Sequence, residues 1–149
     1  MSKYSDLLDR AKWAHLSQAE IEAVAQELQQ PNPEADRYTL LHILGRACAV
    51  SYRGLVERFL DSPDDPMLAR IALQSLVDYW DLAEQYLDEL LRFVRGVPWD
   101  VDGDVRLVAI SNAGEYLRSH RESNLLGGFY GHSRASTRTG VCARSRIAR

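Results

Sequence analysis

Two amphipathic segments in residues 66–95 constrain the fold of the chain more than any other feature. Apolar residues recur at helical spacing over 68–79, and again over 87–94. Neither helix can bury its apolar side alone. The pattern therefore predicts an antiparallel pair that turns a corner at Trp80-Asp81, with further helices stacked on either side.

Residues with helix-capping chemistry mark where these two helices begin and end. Asp65 can accept a backbone N–H at the start of the first helix, and Pro66 suits its first position because no N–H is needed there. Gly96 and Pro98 end the second helix. These signals predict one helix from residue 66 and a second that ends near residue 95.

The rest of the chain has helical periodicity but no sustained alternation of apolar and polar residues, so we predict no strands. A capping box at Ser17–Glu20 opens a helix that ends before Pro31. A third helix is predicted over 35–50, a fourth is capped by Ser51, and a last helix runs over 104–120. The unit of helix, turn and helix recurs at about 33–36 residues, a period typical of solenoid repeats.

The repeat aligns three arginines, Arg37, Arg70 and Arg106, at spacings of 33 and 36 residues. Seven and eight positions after the last of them stand Ala113 and Gly114. With its preceding acidic turn, this segment resembles the HEAT-like repeat of the PBS-lyase type. The resemblance implies a right-handed α-solenoid of about four antiparallel helix pairs. It also implies that each repeat arginine pairs with a turn aspartate.

Charge divides the chain into two parts. Residues 1–122 hold all 21 acidic residues against 13 basic ones, a net charge of −8, whereas 123–149 hold five arginines and no acid. We predict a single helical-repeat domain over 1–122 and a mobile tail over 123–149, because a Ser/Gly/Arg-rich segment buries little apolar surface. The acidic excess disfavours nucleic-acid binding by the domain, since phosphates would be repelled.

Acidic and aromatic residues in the middle of the chain suggest a surface for a basic partner. Within 61–104, eleven acids stand against three arginines. Aromatic side chains would anchor such a partner and carboxylates would steer it. The predicted contact residues are Trp80, Glu84, Asp88, Arg92, Trp99, Asp100 and Asp102.

Two plainer interpretations of these residues stay open. Glu84, Asp88 and Arg92 follow one another at four-residue spacing, so they can form a solvated helix face with weak i,i+4 pairs. The acids of 100–104 can cap the next helix, and their spacing does not fit a calcium-binding EF-hand loop.

We therefore predict a non-enzymatic protein-binding module, either a toxin-neutralising immunity protein or an adaptor. We expect a cytoplasmic location and no membrane partner, because no apolar run is long enough to span a bilayer. No cofactor and no metal are expected, since the sequence lacks the usual motifs for either. The alternatives are a HEAT-like lyase or chaperone acting on a cofactor-carrying protein, a DNA glycosylase, and a fragment of a larger scaffold.

Overall fold

The structure, a computed structural model, describes residues 3–13, 15–30, 32 and 34–125. These residues form helices and connecting turns without a strand, which confirms the all-α prediction. The α-helices are α1 (Lys3–Lys12), α2 (Gln18–Gln29), α3 (Arg37–Arg46), α4 (Arg53–Glu57), α5 (Pro66–Gln74), α6 (Leu87–Arg95) and α7 (Asp104–Leu125). Short 3-10 turns precede α4 at Val50–Tyr52 and α6 at Ala83–Tyr86.

Side-chain caps fix the starts of several helices. The Ser17 hydroxyl accepts from the Glu20 amide, and the Glu20 carboxylate accepts from the Ser17 amide, both at 3.1 Å. Asp65 accepts from the Met67 amide at 3.2 Å, with Pro66 in the first turn. Each cap satisfies an N–H that has no partner within the helix. The predicted starts of α2 and α5 are confirmed.

Two predicted helices differ from the observed ones. The third begins at Arg37, capped by Asp36, and ends at Arg46, so it is shorter than the predicted 35–50. The predicted cap at Ser51 is wrong, because this residue lies inside the 3-10 turn and no side chain caps α4. The fourth helix consequently has only five residues.

The chain turns between α5 and α6 at the predicted position, but the predicted antiparallel pair is wrong: α5 and α6 make little contact with each other, and each packs against α7. After α5 the backbone widens into a single π-helical turn, Ser75–Tyr79, in which the Trp80 amide donates to the Ser75 carbonyl at 2.9 Å. Asp81 then takes a left-handed conformation with φ of 55°. Aspartate tolerates this conformation better than most residues with a Cβ. The chain can therefore reverse here without a glycine.

Helices α3, α5 and α7 form the centre of the packing. α3 contacts α1, α2 and α5, and α5 in turn contacts α7, which also packs against α6. The core between them includes the fully buried side chains of Leu40, Ile71 and Phe93. The right-handed solenoid arrangement remains a prediction.

The ion pairs implied by the repeat resemblance are not present. Among the described residues, neither Arg37, Arg70 nor Arg106 forms an ion pair with a carboxylate. Arg106 instead donates from Nε to the Val94 carbonyl at 2.9 Å. The aspartates before these helices accept backbone amides as caps. Asp65 does so for α5, and the carboxylate is thereby directed to the helix terminus rather than to an arginine.

α7 extends beyond the predicted domain boundary. It continues to Leu125, whereas the predicted tail begins at residue 123. Residues 126–149, which contain the rest of that tail, lie outside the described residues. Of the helices that the structure describes, none combines the length and the apolar character required to cross a bilayer.

Candidate protein-binding site

An open groove of about 400 Å³ lies between the end of α4 and the start of α6. We call it the acidic groove, because four of its seven lining residues are acidic and none is basic. It is lined by Glu57, Leu60, Asp61, Gln85, Tyr86, Asp88 and Glu89. The groove thus concentrates negative charge where two helix ends meet.

Local structure explains why carboxylates collect here. Asp88 and Glu89 lie in the first turn of α6, where the helix dipole stabilises negative charge. Asp61 lies in the turn that follows α4. Tyr86 also lines the groove, and its hydroxyl donates a hydrogen bond to the Glu57 carboxylate on the opposite element, α4. Burial and this hydrogen bond raise the pKa of Tyr86, so it stays a neutral donor.

Arginines of the chain itself neutralise part of this charge. Arg92 contacts Asp61 at 2.9 Å and Glu89 at 3.1 Å. Arg53 donates to Gln85 at 2.6 Å and lies 3.9 Å from Glu57.

Two exposed carboxylates stand out here: Asp88 lines the groove, and Glu84 is the sequence neighbour of the lining residue Gln85. Neither of them forms an ion pair within the described part of the chain. Their carboxylates are therefore the ones available to a basic group from outside.

A second groove, of about 480 Å³, adjoins the first through Asp61. Its acidic lining residues also include Asp36, Asp64 and Asp65, while Arg37 and Arg58 add positive charge. Apolar surface is supplied by residues such as Tyr38, Phe59 and Leu68. Together the two grooves offer carboxylates next to apolar contacts, the combination that suits a basic and amphipathic segment.

The structure divides the predicted contact residues into two surface groups and the buried Trp80. Glu84, Asp88 and Arg92 lie together on the 3-10 turn and α6, beside or within the acidic groove. The loop between α6 and α7 carries Trp99, Asp100 and Asp102, which line neither groove.

The prediction for Trp80 as a partner contact is wrong. Its side chain is 0% exposed, and its indole N–H donates to the Gly45 carbonyl at 3.0 Å. Gly45 belongs to the last turn of α3, where carbonyls lack partners within the helix. Trp80 therefore holds the end of α3 against the corner after α5. Its apolar ring is stabilised by burial and its one donor is satisfied.

The loop residues have structural partners as well. Trp99 is half-buried and packs edge-on against Phe93, with ring centroids 6.0 Å apart. Asp100 accepts from the Arg106 amide at 2.9 Å, which confirms the capping interpretation for this residue. Asp102 is exposed.

Glu57, Asp61 and Glu89 line the groove but are not among the predicted contact residues. The available signal was the acidic run of Asp61-Ser62-Pro63-Asp64-Asp65, which we interpreted only as a turn. Its proximity to α6 depends on how α4 and α6 approach each other, and this long-range packing has no local sequence pattern. Glu57 belongs to a helix that the sequence predicted less accurately.

A cluster of aromatic rings occupies the contact between α3 and the π turn. His42 stacks on Tyr79 with ring centroids 6.1 Å apart, and Tyr38 meets the same imidazole edge-on. Arg46 lies over the Tyr79 ring at 4.3 Å. Burial, together with the charges of Arg46 and Lys12, lowers the pKa of His42 from 6.5 to about 4. His42 is accordingly a neutral packing residue at physiological pH.

Comparison with known proteins gives no assignment. No family model, curated protein or solved structure matches this chain. The HEAT-like resemblance accordingly stays a prediction, and any functional proposal depends on the geometry above.

Proposed function

We propose that this chain is a non-enzymatic protein-binding module that uses the acidic groove to bind a basic protein. The observation that carries the proposal is that four of the seven lining residues are acidic and that one of them, Asp88, is exposed and forms no ion pair within the described part of the chain, although Arg92 and Arg53 compensate the other three. A partner rich in lysine and arginine would be steered by this charge and held by the apolar residues of the adjoining groove.

We further propose that the helices stack as a HEAT-like solenoid. The succession of contacts from α1 to α3, α3 to α5 and α5 to α7 supports this arrangement. In solenoids each repeat contacts its neighbours and the stack offers an extended binding surface. A toxin-neutralising immunity protein facing a basic toxin, or an adaptor, is the kind of protein that fits the charge.

The proposal is tested with a fluorescently labelled, Lys/Arg-rich peptide of about twenty residues, a length chosen to span a standard contact surface. Its affinity for the full chain is measured by anisotropy at low and high salt. We expect the peptide to bind more weakly as salt rises, because exposed charges are screened.

A matched pair of double variants localises the binding. Glu84→Lys/Asp88→Lys removes the lining carboxylate Asp88 and the adjacent Glu84, neither of which has an ion pair among the described residues. Glu22→Lys/Asp102→Lys makes the same change in net charge at exposed positions elsewhere. We expect the first to weaken binding by about tenfold or more and the second by less than about threefold. Equal effects of the two variants would contradict the proposal.

A further inference from the structure

The sequence that follows α7 is the most basic part of the chain. We call residues 126–149 the basic tail. It contains five arginines and no acidic residue. The arginines are Arg134, Arg138, Arg144, Arg146 and Arg149. Val141 and Ile147 are apolar residues between these arginines, so the composition is that of a basic and amphipathic segment.

The acidic groove keeps an excess of negative charge after pairing with arginines of the domain. With the adjacent Glu84 it has five carboxylates, and the basic side chains that contact them are Arg53 and Arg92. By count, three negative charges remain uncompensated among the described residues. Arginine is well suited to supply the opposite charge, because its planar guanidinium can donate two N–H groups to the two oxygens of one carboxylate.

The basic tail is long enough to reach the groove from the end of α7. α7 contacts both α6 and the 3-10 turn at Ala83–Tyr86, so it runs back along α6 toward the turn that helps to line the groove. Arg134 comes nine residues after Leu125, and Arg149 twenty-four residues after it. Since an extended chain spans about 3.3 Å per residue, these arginines can lie up to about 30 and 80 Å from the helix end.

We propose that the basic tail binds the acidic groove of its own chain and thereby competes with a basic partner. This inference rests on the proposed function, because the groove is the binding site in both. The occupant is the chain's own tail, since its charge is opposite to that of the groove and it is covalently joined to the same domain. The tail therefore regulates access to the groove.

Covalent attachment makes even a weak contact effective. A segment joined by a short connection has an effective concentration on the order of 1 mM at its site. If the separate tail had a dissociation constant of about 0.1–0.5 mM, it would occupy the groove for about two-thirds to nine-tenths of the time. The apparent affinity of a free basic partner would then fall by about three- to tenfold.

Two full-length variants test this inference with the labelled Lys/Arg-rich peptide. The Gln tail is Arg134→Gln/Arg138→Gln/Arg144→Gln/Arg146→Gln/Arg149→Gln. The Lys tail has lysine at the same five positions, so its charge is unchanged. At low salt, the Gln tail should bind the peptide about three- to tenfold more tightly than the original chain, and the Lys tail within about twofold of it. The gain should shrink as salt rises, because exposed charges are screened.

The groove variant distinguishes release of the groove from a general change in charge. The Gln tail also makes the chain more acidic, which attracts a basic peptide to the whole surface. In the Glu84→Lys/Asp88→Lys background, the same tail substitution should change the peptide affinity by less than about twofold, because tail and peptide no longer compete for the groove. An equal gain in both backgrounds would overturn the inference.

The Lys tail also reports the contact directly. The lysines of the original chain are Lys3 and Lys12, so every amine in the tail is new. Carbodiimide treatment without peptide should link tail lysines to Asp88 or Glu84 within one chain, as identified by mass spectrometry. Links mainly to Asp102, or links found only between two copies, would overturn the inference.

Failure of the tail inference and failure of the proposed function give different results. If the Gln tail binds the peptide no more tightly than the original chain while Glu84→Lys/Asp88→Lys still weakens binding, the tail inference fails and the proposed function stands. If neither the original chain nor the Gln tail binds the peptide, the proposed function fails. The crosslinks of the Lys tail then decide whether the tail contacts the groove.

Discussion

Replacing Gly45 with alanine should destabilise the protein, although alanine favours helices. Gly45 is buried in α3, where it faces Ser75 and Tyr79 of the π turn. A Cβ at this position would lie 2.3 Å from the Ser75 hydroxyl and 2.9 Å from the Tyr79 ring. Both distances are far below van der Waals contact, so α3 and the π turn would have to separate.

The size of the effect follows from two opposing contributions. Alanine gains about 1 kcal/mol over glycine in a helix interior. Overpacking a well-filled core costs about 1–3 kcal/mol. Ser75 cannot move aside freely, because it is 0% exposed and its hydroxyl donates to the Ile71 carbonyl at 2.8 Å. This places the overpacking cost at about 2–3 kcal/mol, which leaves a net loss of about 1–2 kcal/mol in the free energy of unfolding.

Thermal unfolding followed by circular dichroism measures this loss. For a chain of this size, a net loss of that magnitude lowers Tm by roughly 3–8 °C. Gly114→Ala is the matched control, because its Cβ would enter open space. It should raise Tm by a few degrees, because alanine adds about 1 kcal/mol of helix propensity. If Gly45→Ala also raised Tm, the inferred close contact between α3 and the π turn would be refuted.

Two further predictions concern buried and half-buried side chains. Trp80→Phe removes the donor to the Gly45 carbonyl, so it should lower the free energy of unfolding by about 1–3 kcal/mol in urea titrations. Trp13→Phe is the control, because that side chain is 74% exposed, and it should change the free energy of unfolding by less than about 0.5 kcal/mol. His42 has a lower pKa in the folded chain than its ordinary 6.5, so the unfolded chain binds the proton first and stability should fall as pH drops from about 6.5 to about 4. In a plot of the urea unfolding midpoint against pH, His42→Gln should reduce the slope between about pH 4 and pH 6.5. If the slope were unchanged in this variant, groups other than His42 would cause it.

The local features of the fold could be predicted from the sequence. Ser17, Asp65 and Gly96 act through neighbours a few residues away, so their roles in starting and ending helices are visible in the chain itself. The corner at Trp80-Asp81 was predictable for the same reason. Periodicity also identified α7, whose buried residues recur at the expected spacing.

Features that depend on tertiary contact could not be predicted in this way. The repeat alignment gives Gly45 and Gly114 the same position, yet Gly45 meets another helix and Gly114 faces open space. Trp80 has the composition of a surface anchor, but the packing of α5 against α3 makes it a core residue.

The candidate site was predicted only in part for the same reason. Glu84, Asp88 and Arg92 share a short segment, so their proximity was visible in the sequence, and of the three Asp88 lines the groove. Asp61 and Glu57 join them through the approach of α4 and α6.

The most direct test of the account is to determine which carboxylates meet a basic partner. A carbodiimide joins a carboxylate to a lysine amine only where the two are in contact, and mass spectrometry then identifies the linked residues. With a Lys-rich peptide bound to the full chain, we expect crosslinks at Glu84 and Asp88. Crosslinks concentrated at Asp102, or spread evenly over the exposed acids, would contradict the acidic groove as the binding site.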